Sequence, residues 1–156
     1  MYIYLMKKSA GILLYKNKGG ALKVLLVHPG GPYWKNKEDG VWSIPKGEFS
    51  DNEEPLVAAK REFEEELGVK VDGEFRELLP VKQNPSKIVM AWAVEGDLNQ
   101  NNIKSNTFPM EWPPKSGKIQ EIPEVDKAEW FSVEEAKLKL MPGQVGLIDQ
   151  LIKLLE

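Results

Sequence analysis

Between Ile88 and Val94 both alternating rows of a strand are apolar, with Ile88, Met90, Trp92 and Val94 on one row and Val89, Ala91 and Ala93 on the other. A strand with one wet face alternates apolar with polar residues, so this segment calls for a sheet covered on both sides. That requirement excludes an open one-layer sheet and predicts a layered α/β architecture. Other strands are available to build the sheet. Ser9 to Tyr15 and Leu22 to His28 are β-type apolar runs joined by the turn-rich stretch Lys16 to Gly20, as in a hairpin. Phe75 to Lys82 and Ala128 to Phe131 read as further strands. The HPGGP stretch at 28 to 32 breaks the pattern, and Trp42 to Pro45 leads into Lys46-Gly47, read as a turn.

Covering layers need helices, and the clearest runs from Pro55 to Gly68. Proline suits a first helical turn, where no amide donor is required, and glycine suits the left-handed position that ends a helix. At 100° per residue Leu56, Ala59, Phe63 and Leu67 form one stripe, and Glu62, Glu65 and Glu66 form its neighbour. Ala58 falls within the acidic stripe and leaves room beside the carboxylates. A second helix is expected from about Ser132, and Val145, Ile148, Leu151, Ile152 and Leu155 give helical spacing to Gln144–Leu155. Asn99 to Pro123, with Pro109, Pro113 and Pro114, is expected to be a long substrate-facing loop.

The acidic stripe alone is most simply a solvated face. Three carboxylates at i, i+3 and i+4 nevertheless repel one another unless a cation is present. Hard oxygen donors of this kind suit Mg2+, with Mn2+ as the alternative, and Mg2+ is commonly shared between one or two carboxylates and substrate phosphates. The chain has no cysteine, which excludes disulfides, thiolate ligands and cysteine nucleophiles. A formal net charge of −3 provides no global field for a polyanion, so a phosphate substrate would need local cations. No apolar run approaches the ~20 residues that cross a bilayer. In the opening MYIYLMKKSAG the basic pair follows the apolar stretch, unlike a signal peptide, and a cytoplasmic protein of one domain over residues 1–156 is the expectation.

The residues around the stripe complete a longer pattern. Gly47, Glu53, Arg61, Glu62, Phe63, Glu65, Glu66, Gly68 and Val69 fill G-x5-E-x7-R-E-U-x-E-E-x-G-U, where U is a bulky aliphatic or aromatic residue. This resembles the Nudix box without a gap, and the WSIPKGE lead-in and the later EVDKAEWF segment are also Nudix-like. The resemblance implies an α/β/α sandwich with a central mixed β-sheet. It also implies metal-dependent hydrolysis of a nucleoside diphosphate linked to another moiety, in which metal ions neutralise the anhydride oxygens and lower the pKa of water. It places Glu62, Glu65 and Glu66 at the metal-ligand positions, gives Glu65 a catalytic part, and puts Arg61, Glu53 and Gly47 behind them as supporting residues. Arg61 contacting phosphate is an alternative. By the same resemblance the base, or an added ligand, comes from a glutamate outside the box, for which Glu124 is the first candidate and Glu121 the second.

Lys46 is expected to meet a phosphate oxygen. Tyr33, Trp34 and Trp112, in expected loops, are candidates for stacking on a base, with rim packing as the competing reading. Trp42, Trp92 and Trp130 are expected in the core, and His28 is expected to be structural or solvated. Lys35, Lys82, Lys115 and Lys118 are candidate local cations or ordinary surface lysines. The WSIPKGE lead-in is similar to that of dinucleoside polyphosphate hydrolases, so the expected substrate is a nucleoside or dinucleoside polyphosphate. Housecleaning of non-standard nucleoside triphosphates and a non-catalytic nucleotide-sensing module are the alternatives. A small-molecule nucleotide is the expected partner, with capped or triphosphorylated RNA left open, and the sequence sets no oligomeric state.

Overall fold

The strand that demanded two covers has them. The computed structural model describes residues 6–156, so Met1 to Leu5, on which the reading of the leader partly rests, lie outside the described residues. The chain runs β1 (Lys7–Lys18), β2 (Ala21–Pro29), β3 (Lys46–Glu48), α1 (Pro55–Leu67), β4 (Arg76–Glu77), β5 (Val81–Asn84) and β6 (Lys87–Glu95). It continues through β7 (Thr107–Glu111), β8 (Ile119–Pro123), β9 (Val125–Ser132), α2 (Val133–Lys139) and α3 (Val145–Leu154). The main sheet has the order β4-β6-β1-β2-β9, with β3 also on β1 and β5 also on β6. It is mixed, because β1 and β6 are parallel while the β1–β2 and β2–β9 pairs are antiparallel.

The two rows of β6 part into two cores. Val89, Ala91 and Ala93 join Leu13, Leu26, Trp42 and Ile44 under Ala136 of α2 and Leu147, Ile148 and Leu151 of α3. Trp92 and Val94 join Ile12, Leu14 and Leu25 under Ala58, Ala59, Phe63 and Leu67 of α1. Each fully buried large apolar side chain contributes roughly 1.5–3 kcal/mol through removal from water. The architecture is therefore the α/β/α sandwich with a mixed sheet that the resemblance implied.

Helix α1 begins and ends where its residues dictate. The Glu54 carboxylate accepts from the backbone N–H groups of Leu56 and Val57, Pro55 opens the first turn, and Gly68 takes φ 75° with its N–H on the Glu64 carbonyl. Immediately beyond, the Lys104 N–H donates to the Leu67 carbonyl at 2.9 Å, so the following chain is tied across the helix end.

Several expectations require correction. Phe75 to Lys82 is two short strands, β4 and β5, interrupted before Pro80, which supplies no ladder donor. Lys46-Gly47 lies in strand β3, paired with Gly11 and Ala10 of β1, where the sequence read as a turn. Asn99 to Pro123 contains a β-hairpin of β7 and β8, where an irregular loop was expected. Its prolines misled the reading because a two-stranded ribbon is all edge and tolerates Pro109, while Pro113 and Pro114 sit in the turn. That turn is held by the Glu111 carboxylate, which accepts from the N–H groups of Lys115 and Gly117, both at 3.0 Å. Trp42 and Trp92 are core, but Trp130 is only half-buried at the sheet edge, with its Nε1 donating to the Leu98 carbonyl at 3.2 Å.

A side chain at Gly68 would be strained by its positive φ and would bring a Cβ to 2.6 Å from the Lys104 carbonyl oxygen. Gly68→Ala is expected to cost about 2 kcal/mol and to lower the melting temperature by roughly 4–8 °C. Thermal denaturation checks this, and an unchanged melting temperature would show that the helix end is not fixed in this way.

Candidate active site

The acidic stripe of α1 faces β3 and the junction of β8 with β9. Glu62 is 8% exposed, and its carboxylate lies against Gly47, where a Cβ would collide with it. The glycine is thus required by close approach, since its φ is ordinary. The Lys46 backbone N–H donates to Glu66 Oε1 at 3.2 Å, so β3 orients two of the helix carboxylates.

Glu124 reaches the same place from the far end of the hairpin. Its N–H donates to the Asn106 carbonyl at 2.9 Å, and its carbonyl accepts from the Gly30 N–H at 3.0 Å. The Asn106 N–H in turn donates to the Glu65 carbonyl at 2.8 Å, stapling the base of the hairpin to α1. Gly30 has no room for a side chain, because a Cβ would strike the Pro123 carbonyl. Through these contacts Glu62, Glu66 and Glu124 each offer an oxygen, all within 4.8 Å of one another. Glu65 is directed differently: its two carboxylate oxygens each accept from Arg61 at 3.1 Å.

Arg61 is the organiser of this surface. It grips Glu53 with two bonds, Nε to Oε2 at 2.8 Å and an NH2 group to Oε1 at 2.9 Å, and donates to Glu62 Oε1 at 2.9 Å. A guanidinium fixed by a two-point carboxylate pair can hold other carboxylates in register. Its angle beside the acidic stripe, read from the sequence, is what allows this.

Like charges brought together out of water resist ionisation. Burial pushes the Glu66 carboxyl up to about 8, with Lys46 opposing and the charges of Glu62 and Glu124 adding to the rise. Glu62 is raised by burial and then by Glu65, and Glu124 by burial and then by Glu65. Lys46 is lowered by burial against the pull of Glu66. The donor set fits a hard divalent cation.

A cavity of about 230 Å³ opens beside the cluster. Lys46, Glu66 and Glu124 line it together with Val27, Val41, Ile44, Met141 and Trp34, and Ser43 and Gln83 add polar groups. A larger open groove, between Leu78–Pro80 and Gln150–Leu154, shares none of these residues.

Of the aromatic candidates, Trp34 lines the cavity. Tyr33 does not: it is 56% exposed, edge-on to Trp34, with the Lys37 ammonium 3.6 Å from its ring centroid. Trp112 closes the hairpin turn through its N–H to the Lys118 carbonyl and lines no part of the cavity. Glu121 is on the exposed hairpin, accepting from Thr107 Oγ1 at 2.9 Å, outside the carboxylate cluster. Lys35, Lys82, Lys115 and Lys118 are exposed and outside the cavity. His28 is fully buried, bonded to Asp126 at 2.9 Å and to the Lys37 carbonyl at 2.6 Å, a structural placement. Sequence reasoning missed Gln83 and Met141, isolated residues without a spacing signal, and gave no role to Ser43 inside the WSIPKGE lead-in.

Residues 6–151 match the family model described as the NUDIX domain. Over 68 residues the chain is 32% identical to an RNA pyrophosphohydrolase of Bartonella henselae, covering 41% of this chain and 36% of that protein. Over 140 residues it is 28% identical to an octanoyltransferase of Myxococcus xanthus, covering 88% of this chain and 34% of that protein. The chain thus spans about a third of the length of the curated relatives it matches. Among solved structures, a C. elegans Ap4A hydrolase binary complex aligns with TM-score 0.63 at 19% identity, covering 96% of this chain and 98% of that one. The NUDIX domain of Shewanella oneidensis NrtR complexed with ADP ribose aligns with TM-score 0.65 at 18% identity, covering 97% and 89%. These structural likenesses show a shared fold.

The raised Glu66 carboxyl sets a pH dependence. Without metal, the folded protein keeps a proton that the unfolded chain loses above about 4.5, so this contribution to stability is full below that pH and is lost as pH rises through about 8. A divalent cation bound at this cluster would replace the proton. The rise in melting temperature on adding Mg2+ is therefore expected to be larger at about pH 8.5 than at about pH 5.5. An equal rise at both, measured by calorimetry, would place the ion elsewhere.

Proposed function

The chain belongs to the NUDIX family, and on that premise we propose that it is a Mg2+-dependent pyrophosphohydrolase adding water across a phosphoanhydride bond of a nucleoside or dinucleoside polyphosphate. The observation that carries this reading is the convergence of Glu62, Glu66 and Glu124, beside a cavity that also holds Lys46. Two of the similar proteins, the RNA pyrophosphohydrolase and the Ap4A hydrolase, bear names of this reaction class.

Glu62, Glu66 and Glu124 would hold the ion. Bound there, Mg2+ supplies neutralisation of anhydride oxygens and acidification of water. Arg61, anchored on Glu53, keeps Glu62 and Glu65 in register, the role of a residue behind the ligands. Glu65 lies near enough for its charge to raise both Glu62 and Glu124, and it receives the proton of the attacking water. The water oxygen bonds to phosphorus as the bridging P–O bond breaks, and the leaving phosphate departs as the anion. Lys46 donates to a non-bridging oxygen as charge develops there. The adjacent cavity takes a part of the substrate that does not react.

Nucleotides incubated with Mg2+ in 18O-labelled water and followed by 31P NMR should give a product with one 18O on the attacked phosphorus. Glu65→Gln is expected to lower kcat by ~10² or more with Mg2+ affinity held within about threefold. Glu124→Gln is expected to weaken Mg2+ binding by at least ~10-fold. Failure to cleave any anhydride in a broad panel would overturn the activity. The reverse pattern in the two variants would make Glu124 the proton acceptor.

A further inference from the structure

The cavity has a polar wall that the hydrolysis does not use, and its hydrogen bonds have a fixed direction. The Ile44 backbone N–H is an obligatory donor, and it meets Gln144 Oε1 at 3.0 Å. That assigns the oxygen end of the Gln144 amide. Its Nε2 end therefore faces Ser43 Oγ at 3.0 Å and Gln83 Oε1 at 3.2 Å, while the Ser43 hydroxyl donates to the Ile44 carbonyl at 2.6 Å. Gln144, at the centre of this relay, is fully buried. It turns the oxygen of Gln83 towards Gln144 and leaves Gln83 Nε2 without an acceptor among the described residues.

The backbone also singles out Gln83. The register of β5 against β6 shifts between Lys82 and Asn84, which puts Gln83 at a bulge, a device that re-aims a side chain. Gly143 packs against that bulge, where a Cβ would stand 2.6 Å from Gln83 Cα. The lining side chain is thus held from behind. The same cavity is lined by the apolar groups of Val27, Ile44 and Met141 and by Lys46, Glu66 and Glu124. At about 230 Å³ the space falls below the ~300 Å³ at which sites for drug-sized ligands begin, and it suits one ring system.

A donor wall discriminates between heterocycles. A 6-oxopurine offers an acceptor where adenine carries an amino group, and two facing N–H groups would leave both unpaired. We propose that Gln83 is a specificity residue that selects a base presenting an oxo group, so that a 6-oxopurine nucleotide is preferred over its 6-amino counterpart. This rests on the nucleotide reading above.

The test compares ITP with ATP, and inosine with adenosine. The wild-type protein should favour ITP in kcat/KM by ~10-fold or more, mainly through KM, and should bind inosine more tightly than adenosine in NMR titrations. Gln83→Glu keeps the shape and the oxygen facing Gln144 but replaces the donor with an acceptor, so it should erase or reverse both preferences. Gln83→Leu, which removes the amide, should bring both ratios within about threefold of unity. Hydrolysis of ITP and ATP at equal efficiency in wild-type and variant proteins would overturn the selection and leave the hydrolase reading standing. Conversely, absence of hydrolysis with an inosine preference that Gln83→Glu abolishes would overturn the hydrolase reading alone. Absence of both hydrolysis and nucleoside binding would overturn both.

Discussion

The convergence of Glu62, Glu66 and Glu124, like charges brought together against their repulsion, is the constraint on which the site depends. Free carboxylates would separate into water, yet here two are fixed by a helix and one by the end of a hairpin, with their oxygens within 4.8 Å. The opposing restraints are all local and identifiable. Gly47 admits the Glu62 carboxylate, the Lys46 N–H holds Glu66, Asn106 and Gly30 hold the Glu124 backbone, and Arg61 steadies Glu62 from the side. The result is a site that resists full ionisation and whose donors would suit a dication.

The two-sided sheet makes those restraints stiff. Strand β1 pairs along one side with β6 and along the other with β2, and it also carries β3, so Lys46 and Gly47 are positioned by the centre of the sheet. Helix α1 is pressed onto one face through Phe63 and Leu67, which fixes the rotation of its acidic stripe. The opposite face, under α2 and α3, contributes Ile44 and the turn that carries Gln144. Carboxylates and amide relay therefore share one segment, Trp42 to Gly47, with the relay meeting Ser43 and Ile44 and the carboxylates meeting Lys46 and Gly47.

What was legible in the sequence had a period or a cap. The bounds of α1 followed from Pro55 and Gly68, and the two covered faces of β6 followed from its double apolar row. The sequence placed Glu62, Glu65 and Glu66 together on one helical stripe as expected ligands, and offered Glu124 only by resemblance. The grouping itself was not legible: the helix pattern ranks Glu65 equally with its neighbours, and only three-dimensional packing turns it to Arg61 while bringing Glu124 in. The hairpin was hidden because prolines that argue against a central strand are tolerated in a ribbon that is all edge. Gln83 and Gln144 were silent because a single amide has meaning only through its partners, here separated by 61 residues in sequence.

A proton held on Glu66, which a dication bound at the cluster would displace, is what this arrangement of carboxylates predicts. With Glu66 pushed up to about 8, a proton is expected on it at neutral pH in the metal-free protein. Titration calorimetry of Mg2+ in buffers of different ionisation enthalpy measures the protons released on binding. The expected result is release of about one proton per Mg2+ near pH 7, falling towards zero above about pH 9.5, with Glu66→Gln abolishing the release. Binding of Mg2+ at pH 7 with no proton release, or release unchanged in Glu66→Gln, would contradict the account.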